Sequence, residues 1–252
     1  NKIGLELIGD IAWPEHVSIF TVPIRFALSY KIPLILWGEN PQIEYGGPKK
    51  SLNNSKLDRA WLEEFGGLIG LRVNDFIENY EFKEKDLEIY HYPTVKELNK
   101  FKIKSIFLGF YENWDSIRNY NIANKNGFTK YKKKLEGCYF DFEKIDNYQH
   151  GIHDYFKFLK FGFGRATDHA SIEIRYGRIT REEGIELVKN HEGKIPKKYL
   201  KKFLEYAKIN ENEFHDICDK FTNKEIFETN SDGSIKKDNE NNPILKNPIG
   251  II

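Results

Sequence analysis

Two short apolar runs constrain the fold of this chain more than any other feature: PLILW at 33–37 and SIFLGF at 105–110. Each has the length of one strand; Gly38 and polar residues follow the first, and Tyr111, Glu112 and Asn113 the second. Such a run reads as a strand buried on both faces, as in a parallel sheet. A helix is expected ahead of the first. Asp10-Ile-Ala-Trp-Pro14 opens it, with Pro14 suited to the first turn, and Val17, Phe20, Ile24, Ala27 and Leu28 recur at helical spacing. Pro23 removes an amide donor and is expected to kink this helix. LDRAWLEEFGG at 57–67 predicts a short helix stopped by glycine, and Trp114–Asn126 another helix. Helix, strand, helix, strand, helix is the order of an α/β domain with parallel strands.

From His150 the pattern turns wholly helical. Ile152, Tyr155, Phe156 and Leu159 form one apolar stripe, with His153, Lys157 and Lys160 on the opposite face, where a solvated surface is the default. Thr180 with Glu183, and Asn210 with Glu213, have the spacing of capping boxes. Pro196 starts a helix with Tyr199, Leu200, Phe203 and Leu204 inward; Phe214, Ile217, Cys218 and Phe221 follow in the next. The expected organisation is therefore an α/β domain over 1–149, a helical lobe over 150–221 and a polar tail over 222–252. In that tail Ser231-Asp-Gly-Ser234 either turns a small hairpin or belongs to a mobile end.

Basic and acidic residues, 39 against 38, leave a net charge of +1, and 40% of the residues are hydrophobic. The chain is too apolar for disorder, and its apolar runs are too interrupted by charge for a membrane span. Neutrality gives no argument for nucleic acid or an acidic membrane as a partner, although local patches stay open. Cys138 and Cys218 are the two cysteines, with no CxxC pair, so a disulfide framework is not expected. A cytoplasmic protein fits best, with no signal peptide in view. The chain begins at Asn1 and has no methionine, which suggests a start inside a longer protein.

In open α/β sheets ligands bind beyond the carboxyl ends of the strands. Gly38, Glu39 and Asn40 fall there, after Trp37, followed by Glu44, Gly46 and Gly47. Glu39 or Glu44 would suit a magnesium ion, or an amine or hydroxyl group; the plain alternative is an ordinary polar loop. Tyr111, Trp114 and Asp115 follow the second strand, where aromatic rings beside a carboxylate suit a sugar or nucleobase, or simply a core. A third cluster lies in KFGFGRATDHASIEIRYGRITREE at 160–183, which carries Lys160, Arg165, Asp168, His169, Arg175 and Arg178 among glycines. Guanidinium groups offer a planar donor fork for phosphate or carboxylate; the alternative is an ion-pair network locking helices together. G-x-G here is no dinucleotide fingerprint, since no strand precedes it and no third glycine follows. Neither cysteine has a local histidine arrangement that would make it a nucleophile.

WPEHVSIFTVPIRFA, LILWGENPQIEYGG, FLGFYENWDS and above all KFGFGRATDHASIEIRYGRITREEGIELV resemble the N-acetyl sugar amidotransferases of the ATP pyrophosphatase (PP-loop) superfamily, over about residues 1–193. The resemblance implies a Rossmann-like PP-loop sheet, incomplete at its N-terminus, followed by a helical lobe. It implies ATP with magnesium as cofactors and an acetamido sugar or UDP-sugar as substrate. The amide would be adenylated and then attacked by ammonia from separate glutaminase and cyclase-like partners, giving an acetamidino group for bacterial surface glycans. Glu39, Glu44 and Asp168 would be the catalytic candidates. Gly38, Asn40, Tyr111, Trp114, Asp115, Lys160, Arg165, His169, Arg175 and Arg178 would hold substrate and phosphates. The SGGxDS loop of the superfamily is absent from the 252 residues, so this chain alone is expected to be inactive. The alternatives are another PP-loop ligase, akin to the asparagine synthetases, and a non-catalytic sugar-nucleotide-binding or scaffold subunit.

Overall fold

A computed structural model describes residues 1–38, 70–133 and 135–250. In chain order its elements are α1 (Lys2–Ile8), α2 (Trp13–Tyr30), β1 (Leu34–Trp37), α3 (Val73–Asn79), α4 (Glu84–Leu87), α5 (Val95–Phe101), β2 (Lys104–Phe107), α6 (Ser116–Lys125), α7 (His150–Phe161), α8 (Arg165–Arg175), α9 (Arg181–His191), α10 (Lys197–Ala207) and α11 (Glu211–Phe221). This is a mixed α/β chain in which helices predominate. They group into two compact units, one of Trp13–Arg118 and one of Asn1–Ala12 with Asn119–Ile252. Among the described residues no helix is long and apolar enough to cross a membrane.

The first unit is built on a parallel pair. β1 and β2 run in register from Leu34 opposite Lys104 to Trp37 opposite Phe107. α2 lies on one face, where Phe20 and Ile24 pack with Trp37 and Phe107. The predicted apolar positions Val17, Phe20, Ile24 and Ala27 are its buried stripe, and the helix runs on through Pro23. Asp115 caps α6 by accepting from the amides of Ile117 and Arg118, each at 3.1 Å.

Two details differ from the sequence-based expectation. The second strand ends at Phe107, and Leu108–Phe110 turns as a 3-10 helix instead of extending it. The first strand is parallel but not buried on both sides, since Leu34 is 50% and Leu36 55% exposed. Period-two alternation sends these two side chains away from α2, and the described helices cover only the opposite face. The helix expected at 57–67 lies outside the described residues.

The second unit has a core of Leu5, Ile11, Ile152, Phe156, Leu159, Phe203, Phe214 and Phe227, contributed by α1, α7, α10, α11 and the segment after them. Its helices start where the sequence placed caps. Thr180 with Glu183, and Asn210 with Glu213, form complete capping boxes. After α11 the polar segment pairs with itself. Antiparallel bridges join Thr229 to Ile235, Lys237 to Pro243 and Phe227 to Leu245, giving two successive hairpins. Phe227 is fully buried, and with Ile226 and Leu245 packed beside it, it anchors an otherwise hydrophilic stretch to the core.

Candidate functional site

The densest set of charged side chains with limited exposure surrounds α7 and α8. The two helices meet across Gly162, whose φ of +74° is left-handed and whose added Cβ would come within 2.6 Å of Ile226. Only glycine makes that reversal so close to its neighbour. α8 then begins at Gly164, which has no side chain to cap it. The cap comes from elsewhere: the carboxylate of Glu192, just past α9, accepts from the Thr167 amide and, at 2.9 Å, from its hydroxyl. A carboxylate at that end also complements the helix dipole. Burial pushes the Glu192 carboxyl above its ordinary range, against the opposing hydrogen bonds from Thr167.

Along α7 and α8 several of the other charges are taken up in pairs. Lys157 meets Asp168, and Lys144 meets Asp154. His169 Nε2 lies 2.8 Å from Glu143, with its ring 4.6 Å from that of Phe140. Arg178 donates to Glu173 at 2.7 Å and stacks over Tyr176. His153 Nδ1 lies 3.0 Å from Asp10, which also accepts from the Ala12 amide. Burial opposes ionisation of Asp154, but the positive charges of Lys144 and Arg165 outweigh it and hold that carboxyl below its usual value. Lys144 shifts the same way: burial lowers its pKa, and Asp154 only partly compensates. Burial lowers Lys160 as well, opposed by Asp10.

The polar face of α7 is therefore packed instead of solvated. Of the predicted positions on α8 and beyond it, Asp168 and Arg178 sit inside ion pairs, and His169, only 2% exposed, is within hydrogen-bond distance of Glu143. Arg165 is half-buried at the start of α8 and acts electrostatically on Asp154. Arg175, at the other end of α8, is exposed and has no acidic partner among the described residues. In the other unit Gly38 follows β1, and Tyr111, Trp114 and Asp115 follow β2; the parallel register brings both stretches to the carboxyl end of the sheet. Tyr111 is 62% exposed, whereas Trp114 is half-buried and Asp115 holds the cap of α6. Glu39, Asn40 and Glu44, and with them the magnesium expectation, lie outside the described residues. Among the described residues no cluster of three or more His, Cys, Asp or Glu is placed to hold a metal ion.

Sequence reasoning passed over Asp10, Glu143, Lys144, Asp154 and Glu192. Asp154 carried a legible signal, an acid set beside the buried stripe of its own helix. Glu143 and Lys144 end CYFDFEK, where aromatic residues alternate with charges. An open groove of about 620 Å³ between α10, α11 and the second hairpin, floored by Ile195, Leu200, Leu204 and Ile209, contains none of the predicted site residues.

Residues 104–239, more than half of the chain, match the family model described as LPS biosynthesis protein WbpG-like, C-terminal domain. The chain belongs to this family. The WbpG-like match runs from β2 through α11 into the second hairpin, so it takes in the charged cluster on α7 and α8, apart from Asp10, as well as Tyr111, Trp114 and Asp115. Gly38 and the glutamate-bearing loop precede it. The name of the WbpG-like family ties it to LPS biosynthesis. A search of curated proteins finds no match to the chain.

Proposed function

We propose that this chain is part of an ATP-dependent amidotransferase of LPS biosynthesis, which turns an acetamido group of a nucleotide sugar into an acetamidino group. The observation that carries the reading is the parallel pairing of β1 with β2. It sets the Gly38 turn and the Tyr111–Asp115 segment at one end of one sheet, the end at which open α/β folds bind ligands. The WbpG-like assignment supports the pathway, and the PP-loop likeness of GENPQIEYGG and ATDHASIEIR supports the chemistry.

An amide is a poor electrophile, so its oxygen attacks the α-phosphorus of ATP and pyrophosphate leaves. Ammonia, from glutaminase and cyclase-like partners, then adds to the activated carbon, and AMP departs with the former amide oxygen. The protein's part is to place the reactants and to oppose charge on phosphate. Arg175, exposed and without an acidic partner among the described residues, is the donor on α8 that suits a phosphate. Arg165 and Lys160 are the other cations assigned to anionic groups, while Glu39 and Glu44 would orient ammonia or carry magnesium.

One observation favours a second reading, a non-catalytic sugar-nucleotide-binding subunit: Asp168 and Arg178 already pair with Lys157 and Glu173, and His169 lies against Glu143. Pyrophosphate release by the natural protein separates the two. With ATP, an ammonium salt and a panel of UDP-acetamido sugars, the amidotransferase releases pyrophosphate with one sugar and yields a product one mass unit lighter. Arg175→Ala and Glu39→Ala should each depress that turnover. Measurable sugar binding without release from any sugar would discard the enzyme reading.

A further inference from the structure

The balanced charge of the chain conceals a strongly basic surface within the second unit. Residues 197–208 hold five lysines against Glu205 alone, and residues 125–134 hold five lysines and no acid. On α10, Lys197, Lys201 and Lys208 fall along one line of the helix and its end, with Lys198 and Lys202 on the line beside it. All five are exposed, while Tyr199, Leu200, Phe203 and Ala207 bury the opposite side. The 125–134 stretch adjoins this face: Lys198 Nζ is 3.4 Å from the Tyr131 hydroxyl, and the Lys198 amide donates to Glu136 at 2.9 Å. Lys132 and Lys133 are exposed beside Tyr131.

Acids neutralise only part of this surface. Lys197 pairs with Glu240 and Lys130 with Asp141. Lys132, Lys133, Lys201 and Lys202 have no acidic partner among the described residues. Aromatic rings stand among them: the Lys202 ammonium lies 4.0 Å from the centre of the Tyr148 ring, which is 52% exposed, and Lys198 sits over Tyr131.

We infer that this face docks the protein on an anionic phospholipid bilayer. The lysines spread along a helix about 16 Å long, twice the distance of about 8 Å over which salt screens a charge. A single phosphate meets only a few of them, whereas an array of headgroups meets all. Lysine is a compact, strongly hydrated charge that binds such an array without a fixed geometry, and no arginine lies in either stretch to form the bidentate contacts typical of nucleic-acid readout. Tyrosines beside the lysines suit the headgroup level, where amphipathic rings settle. The inference is independent of the amidotransferase reading, because it concerns charge on α10 and not the residues assigned to substrate.

The test is co-sedimentation of the natural protein with phosphatidylcholine vesicles, with and without roughly one-third phosphatidylglycerol. Binding is expected to the anionic vesicles only and to disappear at about 0.5 M salt. The variant K132E/K133E/K201E/K202E, whose changes are all on exposed side chains, should keep its circular dichroism and lose about a hundredfold or more in partitioning. K83E/K85E, at exposed positions of the other unit, should partition as the wild type does. Equal binding to neutral vesicles, no binding at low salt, or an unaffected four-site variant would overturn the inference. So would displacement by millimolar UDP or inorganic phosphate, which would mark a small-anion site, or by a DNA duplex, which would mark a nucleic-acid surface.

Discussion

Replacing Glu192 probes how α8 is held, because this residue caps the helix from outside it. The carboxylate is 7% exposed and satisfies two donors of Thr167, while Gly164 at the cap position offers nothing in its place. Gly164 also leaves it room, since an added Cβ would stand 3.3 Å from a Glu192 oxygen. Glu192→Ala removes a cap worth about 1 kcal/mol and strands a buried amide donor at about 1–3 kcal/mol. The expected loss is about 2–4 kcal/mol. Glu192→Gln keeps an oxygen for the amide and donates to the hydroxyl, so it should cost less than about 1 kcal/mol.

The pH dependence gives a second check on the same site. Burial raises the folded pKa of Glu192 above 4.5, so the folded state binds its proton more tightly than the unfolded state does. Stability contributed by Glu192 is therefore greatest below its ordinary pKa and falls as pH rises through the raised value. The glutamine variant, which has no charge to bury, should gain on the wild type across that window. Urea titrations followed by far-UV circular dichroism and by exposure of Cys138 and Cys218, both buried in this unit, would read each difference. An alanine variant within about 0.5 kcal/mol of wild type, or a glutamine variant as weak as alanine, would refute the capping argument.

Two further outcomes follow from the core of the same unit. Phe214→Ala empties a fully buried ring site between Phe156 and Phe203 and should cost about 3–5 kcal/mol in the same titration; a loss below about 1 kcal/mol would mean that the ring is not at the centre of the packing. Burial pushes the Cys138 thiol up to about 12 and moves Cys218 in the same direction, so neither should react with a disulfide reagent at pH 8 until urea unfolds the unit. Rapid labelling of native protein would contradict that burial.

What could be read in advance follows from the range of the interactions involved. Capping boxes at Thr180 and Asn210 join residues three apart, and the stripe Ile152, Tyr155, Phe156 and Leu159 repeats within one helix, so both were legible. The parallel relation of β1 and β2 followed from the order of helices and strands. The pairs His153 with Asp10, His169 with Glu143 and Thr167 with Glu192 join residues 143, 26 and 25 positions apart, and no local pattern announces them. The same limit made His169 look free for ligand; Asp168 and Arg178 looked free although their partners Lys157 and Glu173 lie only 11 and 5 positions away, because which nearby charges meet depends on how α7 and α8 pack.

By itself the sequence determined α2, α6, α7 and α9 to α11, the two strand segments and the family resemblance, because backbone preference and apolar periodicity act over a few residues; the short helices α1, α3, α4 and α5 went unread. Only the tertiary structure decided which charges are spent on one another and which, such as Arg175, Lys201 and Lys202, still face solvent. It also decided that a polar tail folds, anchored by the buried ring of Phe227 with Ile226 and Leu245 packed beside it. The physical reason is that a charge or a ring acquires its energy from what burial places beside it, and burial depends on residues far away along the chain.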